Sequence, residues 1–296
     1  MNKPILVIGS TCVDIIINIH HLPVTEENIR PASQSMALGG CAFNVANILR
    51  QSGTPFTFIS PVGSGVYGDY VAEHLEARGF ASPLRVPEEN GCCYCLVEEG
   101  GERTFMSYHG VEYTFQKQWM EDYNARDYSM IYVCGLEVEE STGEALVSWL
   151  EENPGPAIFF APGPRVGKIP AERLERLLNL HPVLHVNHSE TGEAARFLAA
   201  RTKAPVIVTL GEKGALCQTP EGELWQAPGV PVKPVDTIGA GDSHIGALMA
   251  CLYRGMDMEK ALRTANQVSS AVVGVKGASL EDEAFMRLIP AEQERG

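Results

Sequence analysis

No stretch of this 296-residue chain approaches the roughly 18 apolar residues needed to span a bilayer. No secretion signal is expected either. Met1-Asn2-Lys3-Pro4-Ile5-Leu6-Val7-Ile8-Gly9 is a short apolar run without a long hydrophobic segment or a small-residue cleavage site. A cytoplasmic protein with no membrane partner is expected. Basic residues are scarce, 23 Lys plus Arg against 37 Asp plus Glu, for a net charge of −14. That balance argues against non-specific nucleic-acid binding, which rests on neutralising phosphates, so no nucleic-acid partner is expected. Any anionic ligand must be held by local dipoles rather than by the overall field. The eight cysteines lack the spaced pairs of a metal site, because only Cys92-Cys93-Tyr94-Cys95 is clustered. They read as small buried residues in a reducing compartment. Internal repeats and low-complexity linkers are absent. So is a Walker A loop: Gly167-Lys168 is followed by Ile169 and lacks the upstream glycine.

What is present is an α/β rhythm. Ile5–Ile8 is a continuous apolar run, suited to a strand buried on both faces. Strand-like segments follow at Phe56–Ser60, Met130–Val133, Ala157–Phe160, Val183–Val186 and Pro205–Leu210. Helical spacing appears at Asn44–Ser52, Gly68–Arg78, Thr142–Glu152, Ala171–Asn179, Glu190–Ala200 and Ile245–Tyr253. Strands alternating with helices of this length predict a mostly parallel sheet flanked by helices. Val13–Ile19 and Gly91–Thr104 read as strands without intervening helices, with Glu98-Glu99-Gly100-Gly101-Glu102 as a hairpin turn. They suggest a small antiparallel sheet inserted into the α/β body.

Three glycine-rich segments compete as binding loops. Gly63-Ser64-Gly65-Val66-Tyr67-Gly68 satisfies a dinucleotide fingerprint literally, but such a motif belongs after the first strand, with an acidic residue about 20 positions on. A plain strand–turn–helix junction is the better reading. Leu38-Gly39-Gly40-Cys41-Ala42-Phe43-Asn44 permits close approach of a ligand to backbone, with Asn44 able to donate and accept hydrogen bonds. A structural turn explains it equally well. Val235-Asp236-Thr237-Ile238-Gly239-Ala240-Gly241-Asp242-Ser243 precedes a strongly apolar helix. Gly-Ala-Gly at a helix start aims backbone N–H groups at an anion, and Asp242 is placed to take a proton from an attacking nucleophile. That combination points to phosphoryl transfer; a capped helix is the competing explanation.

Four segments resemble the ribokinase-like (PfkB) carbohydrate kinases. Gly39-Gly40-x-x-x-Asn44-x-Ala46 is similar to their N-terminal signature, and Asp236-Thr237-x-Gly239-Ala240-Gly241-Asp242 to their C-terminal one. Asn187-His188-Ser189-Glu190 resembles their N-x-x-E motif, and Thr209-Leu210-Gly211-Glu212-Lys213-Gly214-Ala215 their nucleotide-binding strand and turn. The matches fall in the family's order and span residues 9 to 279. The resemblance implies a three-layer fold, with a mostly parallel central sheet flanked by helices, forming one kinase domain over 1–296. A small antiparallel β lid would come from two insertions at roughly 13–35 and 90–114.

It also implies ATP-dependent phosphorylation of a hydroxyl, with Mg²⁺. Asp242 would be the base and Gly239, Ala240 and Gly241 the anion hole. Asp14, Gly39, Gly40 and Asn44 would bind substrate hydroxyls. Glu137, in Gly135-Leu136-Glu137, resembles a further sugar-binding carboxylate, though a solvated glutamate fits as well. Asn187, Thr209, Gly211, Gly214 and Asn266 would contact ATP, and Glu190 would organise Mg²⁺ through water. Asp236, Ile238, Val272, Val275 and Gly277 match the place where some relatives hold K⁺.

Departures concern the substrate rather than the reaction. Cys12 stands where ribokinases carry Asn, His244 where Phe is usual, and Ala161 where Asp is frequent. The leading expectation is a kinase for a non-phosphorylated sugar or polyol. A nucleoside kinase comes second, with Tyr94, Phe105, Tyr108 and Tyr113 available for stacking. A phosphosugar kinase ranks below these because the lid regions carry only Arg30 and Arg103 as arginines. A non-catalytic sugar or nucleotide sensor would have no use for Asp242. The lid strands are expected to pair two copies into a dimer, and His244 to be a packed residue near the site.

Overall fold

The computed structural model describes residues 3–81, 84–191 and 194–288. The first half of the chain forms strands β1 (Ile5–Ile8), β2 (Cys12–Asn18) and β3 (Ser33–Gly39), helix α1 (Cys41–Gln51) and strands β4 (Phe56–Ile59) and β5 (Pro61–Ser64). Helix α2 (Gly65–Ala77) and strands β6 (Leu84–Glu89), β7 (Cys92–Val97) and β8 (Arg103–Tyr108) follow. The second half begins with β9 (Met130–Cys134), α3 (Gly135–Glu139), α4 (Gly143–Glu152), β10 (Ala157–Ala161), α5 (Ala171–Leu178) and β11 (Val183–Asn187). It continues with α6 (His188–Thr191), α7 (Ala195–Thr202), β12 (Val206–Thr209), β13 (Ala215–Gln218), β14 (Leu224–Ala227), α8 (Ala240–Tyr253), α9 (Met258–Val273) and α10 (Asp282–Met286).

The described residues form two compact units: one drawn from Met1–Ile8, Asn44–Ile59 and Phe115–Gly296, the other from Gly9–Phe43 and Ser60–Thr114. In the first, an eight-stranded sheet runs β14-β13-β12-β11-β10-β9-β1-β4. From β4 to β12 every pairing is parallel. All four residues of β1 are buried, as an apolar strand between two parallel neighbours requires. The parallel sheet read from the alternation of segments is therefore present. A hairpin that the sequence did not announce extends it, because β13 and β14 pair antiparallel at one edge. The uniform helical reading over Glu190–Ala200 resolves into α6 and α7, with residues 192 and 193 outside the described ones. The apolar face of α8 and α9 packs with Ile48, Ile207, Ala215, Cys217 and Ala227 into one core.

In the second unit, a four-stranded sheet runs β3-β2-β7-β8. Its outer pairings are antiparallel and the central one, β2 with β7, is parallel. The predicted turn between β7 and β8 closes with Glu98 N–H donating to Glu102 O at 3.0 Å and Gly101 N–H to Glu98 O at 2.9 Å. The base of that hairpin is clamped by Glu112, which is fully buried. Its two carboxylate oxygens accept from Gly91 N at 2.8 Å and Gly110 N at 3.0 Å. Burial pushes the Glu112 carboxyl up, and the two N–H donors pull it back. Strands β5 and β6 form a separate parallel pair beside α2.

Candidate active site

Helix α8 starts at Ala240, within the turn expected to bind an anion. Gly239 caps it with φ of +71°, a left-handed conformation that costs other residues about 1–2 kcal/mol. A Cβ there would also lie 2.5 Å from the Ala278 Cβ, so the turn needs glycine on two counts. The first N–H groups of a helix have no partner in a preceding turn, and the dipole makes this end positive. Asp242 sits in that first turn. From α1, the Asn44 amide donates from Nδ2 to Asp242 Oδ2 at 2.8 Å. Asn44, expected to contact substrate, is thus held against Asp242, 198 positions away.

A cavity of about 680 Å³ opens beside this turn. Its lining includes Thr209, Gly211, Gly214, Ala240, Gly241 and Asn266, all singled out in the sequence. Here the 211–214 turn meets the 227–229 backbone closely: a Cβ on Gly214 would stand 2.2 Å from Ala227 O. Sequence reasoning missed the opposite wall, Gly229, Val230, Pro231 and Val232, and the α9 residues Ser269 and Ser270. The only available signal for the serines was their position on the helical face of Asn266, three and four residues on. Ser269 Oγ donates to Ala240 O at 2.9 Å and so ties α9 to the start of α8.

Asn187 and Glu190 lie at the end of β11, and Asn187 is the register partner of Thr209. The carboxyl ends of parallel strands are the usual ligand crevice of such sheets. Glu190 accepts from Asn187 N at 3.0 Å through Oε2 and from Asn187 Nδ2 at 2.7 Å through Oε1. Burial raises the Glu190 carboxyl, against the Asn187 N–H. Among the described residues no group of three or more His, Cys, Asp or Glu converges as a metal cage. One half-buried carboxylate fits Mg²⁺, which keeps most of its water and binds substrate phosphates.

Of the residues expected to hold K⁺, Asp236 and Ile238 precede α8, Val272 is in the last turn of α9, and Val275 and Gly277 follow it. Asp236, 8 % exposed, accepts from Ile238 N at 2.8 Å and Gly277 N at 3.0 Å, and Val275 N donates to Val272 O at 3.1 Å. Asp236 thus ties residues 236–238 to Gly277; a carboxylate and backbone carbonyls are both oxygen donors, the ligand class that suits a hard monovalent cation.

His244 is packed, as expected, and it also lines the cavity. It hydrogen-bonds His185 Nε2 through Nδ1 at 2.9 Å and Asn266 Oδ1 through Nε2 at 3.2 Å. Burial lowers the His244 imidazole to about 4 and holds His185 well below the usual histidine range, where the neighbouring His244 adds to the effect. The Asn266 amide, expected to contact ATP, donates to Ala227 O at 3.1 Å and Pro228 O at 3.0 Å. Glu137 on α3 is 1 % exposed, which removes the solvated alternative.

The remaining substrate candidates belong to the second unit. A Cβ on Gly39 would fall 2.1 Å from Asp14 Oδ2, so the missing side chain is the space the Asp14 carboxylate occupies. Gly40, at φ of +103°, brings its backbone within a Cβ's reach of Ser10 O, 2.5 Å. Cys12 donates its thiol to Asp14 Oδ1 at 3.7 Å. Burial first, and then the Asp14 charge, push that thiol up and keep it protonated.

A family model described as pfkB family carbohydrate kinase matches residues 2–284. An uncharacterized sugar kinase of Escherichia coli K12, YegV, is 34% identical over 289 residues, covering 93% of this chain and 90% of that protein. The Arabidopsis thaliana ribokinase solved with ribose and ATP superposes with a TM-score of 0.79 at 22% identity, over 97% of this chain and 99% of that one. The Burkholderia thailandensis nucleoside kinase solved with inosine gives 0.77 at 21% identity, over 93% of this chain and 91% of that one.

Proposed function

This chain belongs to the pfkB family of carbohydrate kinases, and from that premise we propose that it transfers the γ-phosphoryl group of ATP to a hydroxyl of a non-phosphorylated sugar or related polyol, with Asp242 as general base. Membership makes it a phosphotransferase acting on a sugar or nucleoside hydroxyl; the choice of substrate and the roles of residues are our reading. The observation that carries it is the start of α8. Asp242 shares one helical turn with Ala240 and Gly241, and those two line the cavity bounded by the Thr209–Gly214 turn.

A neutral hydroxyl is a weak nucleophile. Asp242 takes its proton as the oxygen bonds the γ-phosphorus and the bond from that phosphorus to the β-bridging oxygen breaks, releasing ADP. The charge gathering on the phosphoryl oxygens meets the N–H groups and positive dipole end of Gly239-Ala240-Gly241. Asn44 orients the carboxylate by donating to Oδ2. Glu190, steadied by Asn187, would hold Mg²⁺ through water, and the ion would screen phosphate charge. Asp236, with the carbonyls of Ile238, Val272, Val275 and Gly277, would hold K⁺ next to the anion-hole turn. Asp14, Gly39, Gly40 and Glu137 would bind the sugar hydroxyls, since carboxylates accept well from neighbouring O–H groups.

The exposed apolar side chains of the four-stranded sheet, Phe105, Met106 and Tyr108 on β8 and Met36 on β3, favour a homodimer through that sheet. All eight cysteines are unpaired thiols, which suits the reducing cytoplasm where we place the enzyme.

Asp242→Asn conserves size and capping ability. It is expected to keep the fold and ATP binding and to lower turnover by ~10²–10⁴-fold, the scale of a lost general base. Turnover close to wild type in ATP-consumption assays across a sugar and nucleoside panel would remove Asp242 from the role.

A further inference from the structure

We propose that His185 is a positioning residue for nucleotide binding, acting at a distance through a buried, one-way hydrogen-bond chain from His185 to His244, Asn266 and the carbonyls of Ala227 and Pro228. The proposal rests on reading the 680 Å³ cavity as the nucleotide site.

The direction of every proton in this chain is determined by its last link. Asn266 spends both amide protons, on Ala227 O at 3.1 Å and Pro228 O at 3.0 Å. Its Oδ1 therefore faces His244 as an acceptor, and His244 Nε2, 3.2 Å away, must carry the hydrogen. A neutral imidazole has one N–H, so His244 Nδ1 is an acceptor. His185 Nε2, 2.9 Å from it, must then be the donor. With His185 donating from Nε2, a second proton on His244 would set two N–H groups against each other, and burial at 6 % and 2 % exposure favours two neutral rings.

The chain joins three elements that converge on phosphate chemistry. His185 is on β11, two residues before Asn187. His244 is on α8, one turn after Ala240. Asn266 is on α9 and holds the end of β14 and the residue after it, immediately before the cavity wall Gly229–Val232. An apolar pair would fill the same core without the cost of burying two imidazoles. What the polar chain adds is direction, because each ring has one orientation that satisfies both neighbours. Loss of the first donor leaves the buried Nδ1 of His244 without a partner, and a ring that shifts to satisfy it weakens its own bond to Asn266.

The test uses the full-length enzyme. His185→Phe keeps ring volume and removes the donor; His185→Gln keeps a donor. His185→Phe should raise the KM for ATP, and the Kd for a non-hydrolysable ATP analogue, about three- to tenfold, the scale of one net hydrogen bond. Turnover number and sugar KM should stay within twofold, and His185→Gln should recover most of the loss. Long-range ¹H–¹⁵N spectra of wild type at pH 7 should show both histidines neutral and protonated on Nε2. Equal losses in Phe and Gln variants would reduce His185 to packing. An unchanged ATP affinity in His185→Phe alongside a weakened Asn266→Ala would break the chain but keep the cavity. ATP affinity untouched in Asn266→Ala as well would remove the nucleotide from the cavity. Should His185→Phe not fold, a charged or Nδ1-protonated His244 in the wild-type spectrum overturns the proposal on its own.

Discussion

Asn44 shows how a motif residue acquires a second task in the folded chain. Its place in Gly39-Gly40-x-x-x-Asn44 marked it for substrate hydroxyls, and the 2.8 Å bond to Asp242 Oδ2 adds the proposed base to its partners. A hydrogen bond to a charged group contributes about 1.5–3 kcal/mol. Asn44→Ala should therefore lower turnover by roughly 10–100-fold while raising sugar KM and leaving ATP KM alone. Steady-state kinetics with each substrate varied would check this; a change confined to sugar KM would mean that Asn44 touches substrate without orienting Asp242. The residue types of the site were legible: Asp242, Thr209, Gly211, Gly214 and Asn266 could all be named from the chain alone. Their partners were not. Nothing in Leu184-His185-Val186 distinguishes a buried donor from a histidine at a strand surface, because the acceptor lies 59 positions away on another element.

At the scale of elements, the start of α8 was the clearest feature, since Gly-Ala-Gly-Asp before an apolar helix is a local pattern. Gly239→Ala must force a side chain into φ of +71° against Ala278. Far-UV circular dichroism should stay native, while turnover should fall by about 10-fold or more, as the turn shifts by more than a catalytic geometry tolerates. Near-normal turnover would show that the turn is not the anion hole. Other elements were hidden. The β13–β14 hairpin lies in a stretch without strong alternation, and its place is set by pairing with β12 and packing under α8 and α9. The parallel pairing of β2 with β7 was hidden for a related reason: a helix-free stretch suggests hairpins, and only the intervening chain decides which neighbour a strand takes.

For the whole molecule, the small sheet poses the open chemical problem. Met106 and Tyr108, on one face of β8, and Phe105, on the other, are 55 to 63 % exposed, apolar surface that a second copy pairing along this edge strand would cover. Sedimentation at micromolar concentration should give a dimer, and Phe105→Glu with Met106→Lys should shift it to monomer without unfolding. A monomeric wild type would end that assignment. The sequence by itself determined the α/β class, the acidic balance and the four motifs in their order, and it was the resemblance carried by those motifs that gave the reaction type. Each motif is legible because its residues lie within a few positions of each other. Only the tertiary structure decided that Asn44 meets Asp242 across 198 positions, that Asp236 bridges to Gly277, and that His185, His244 and Asn266 stand in hydrogen-bonding sequence. A side-chain hydrogen bond is set within a few tenths of an ångström and a few tens of degrees. No local propensity carries that information, because it arises only when separate helices and strands pack into one core.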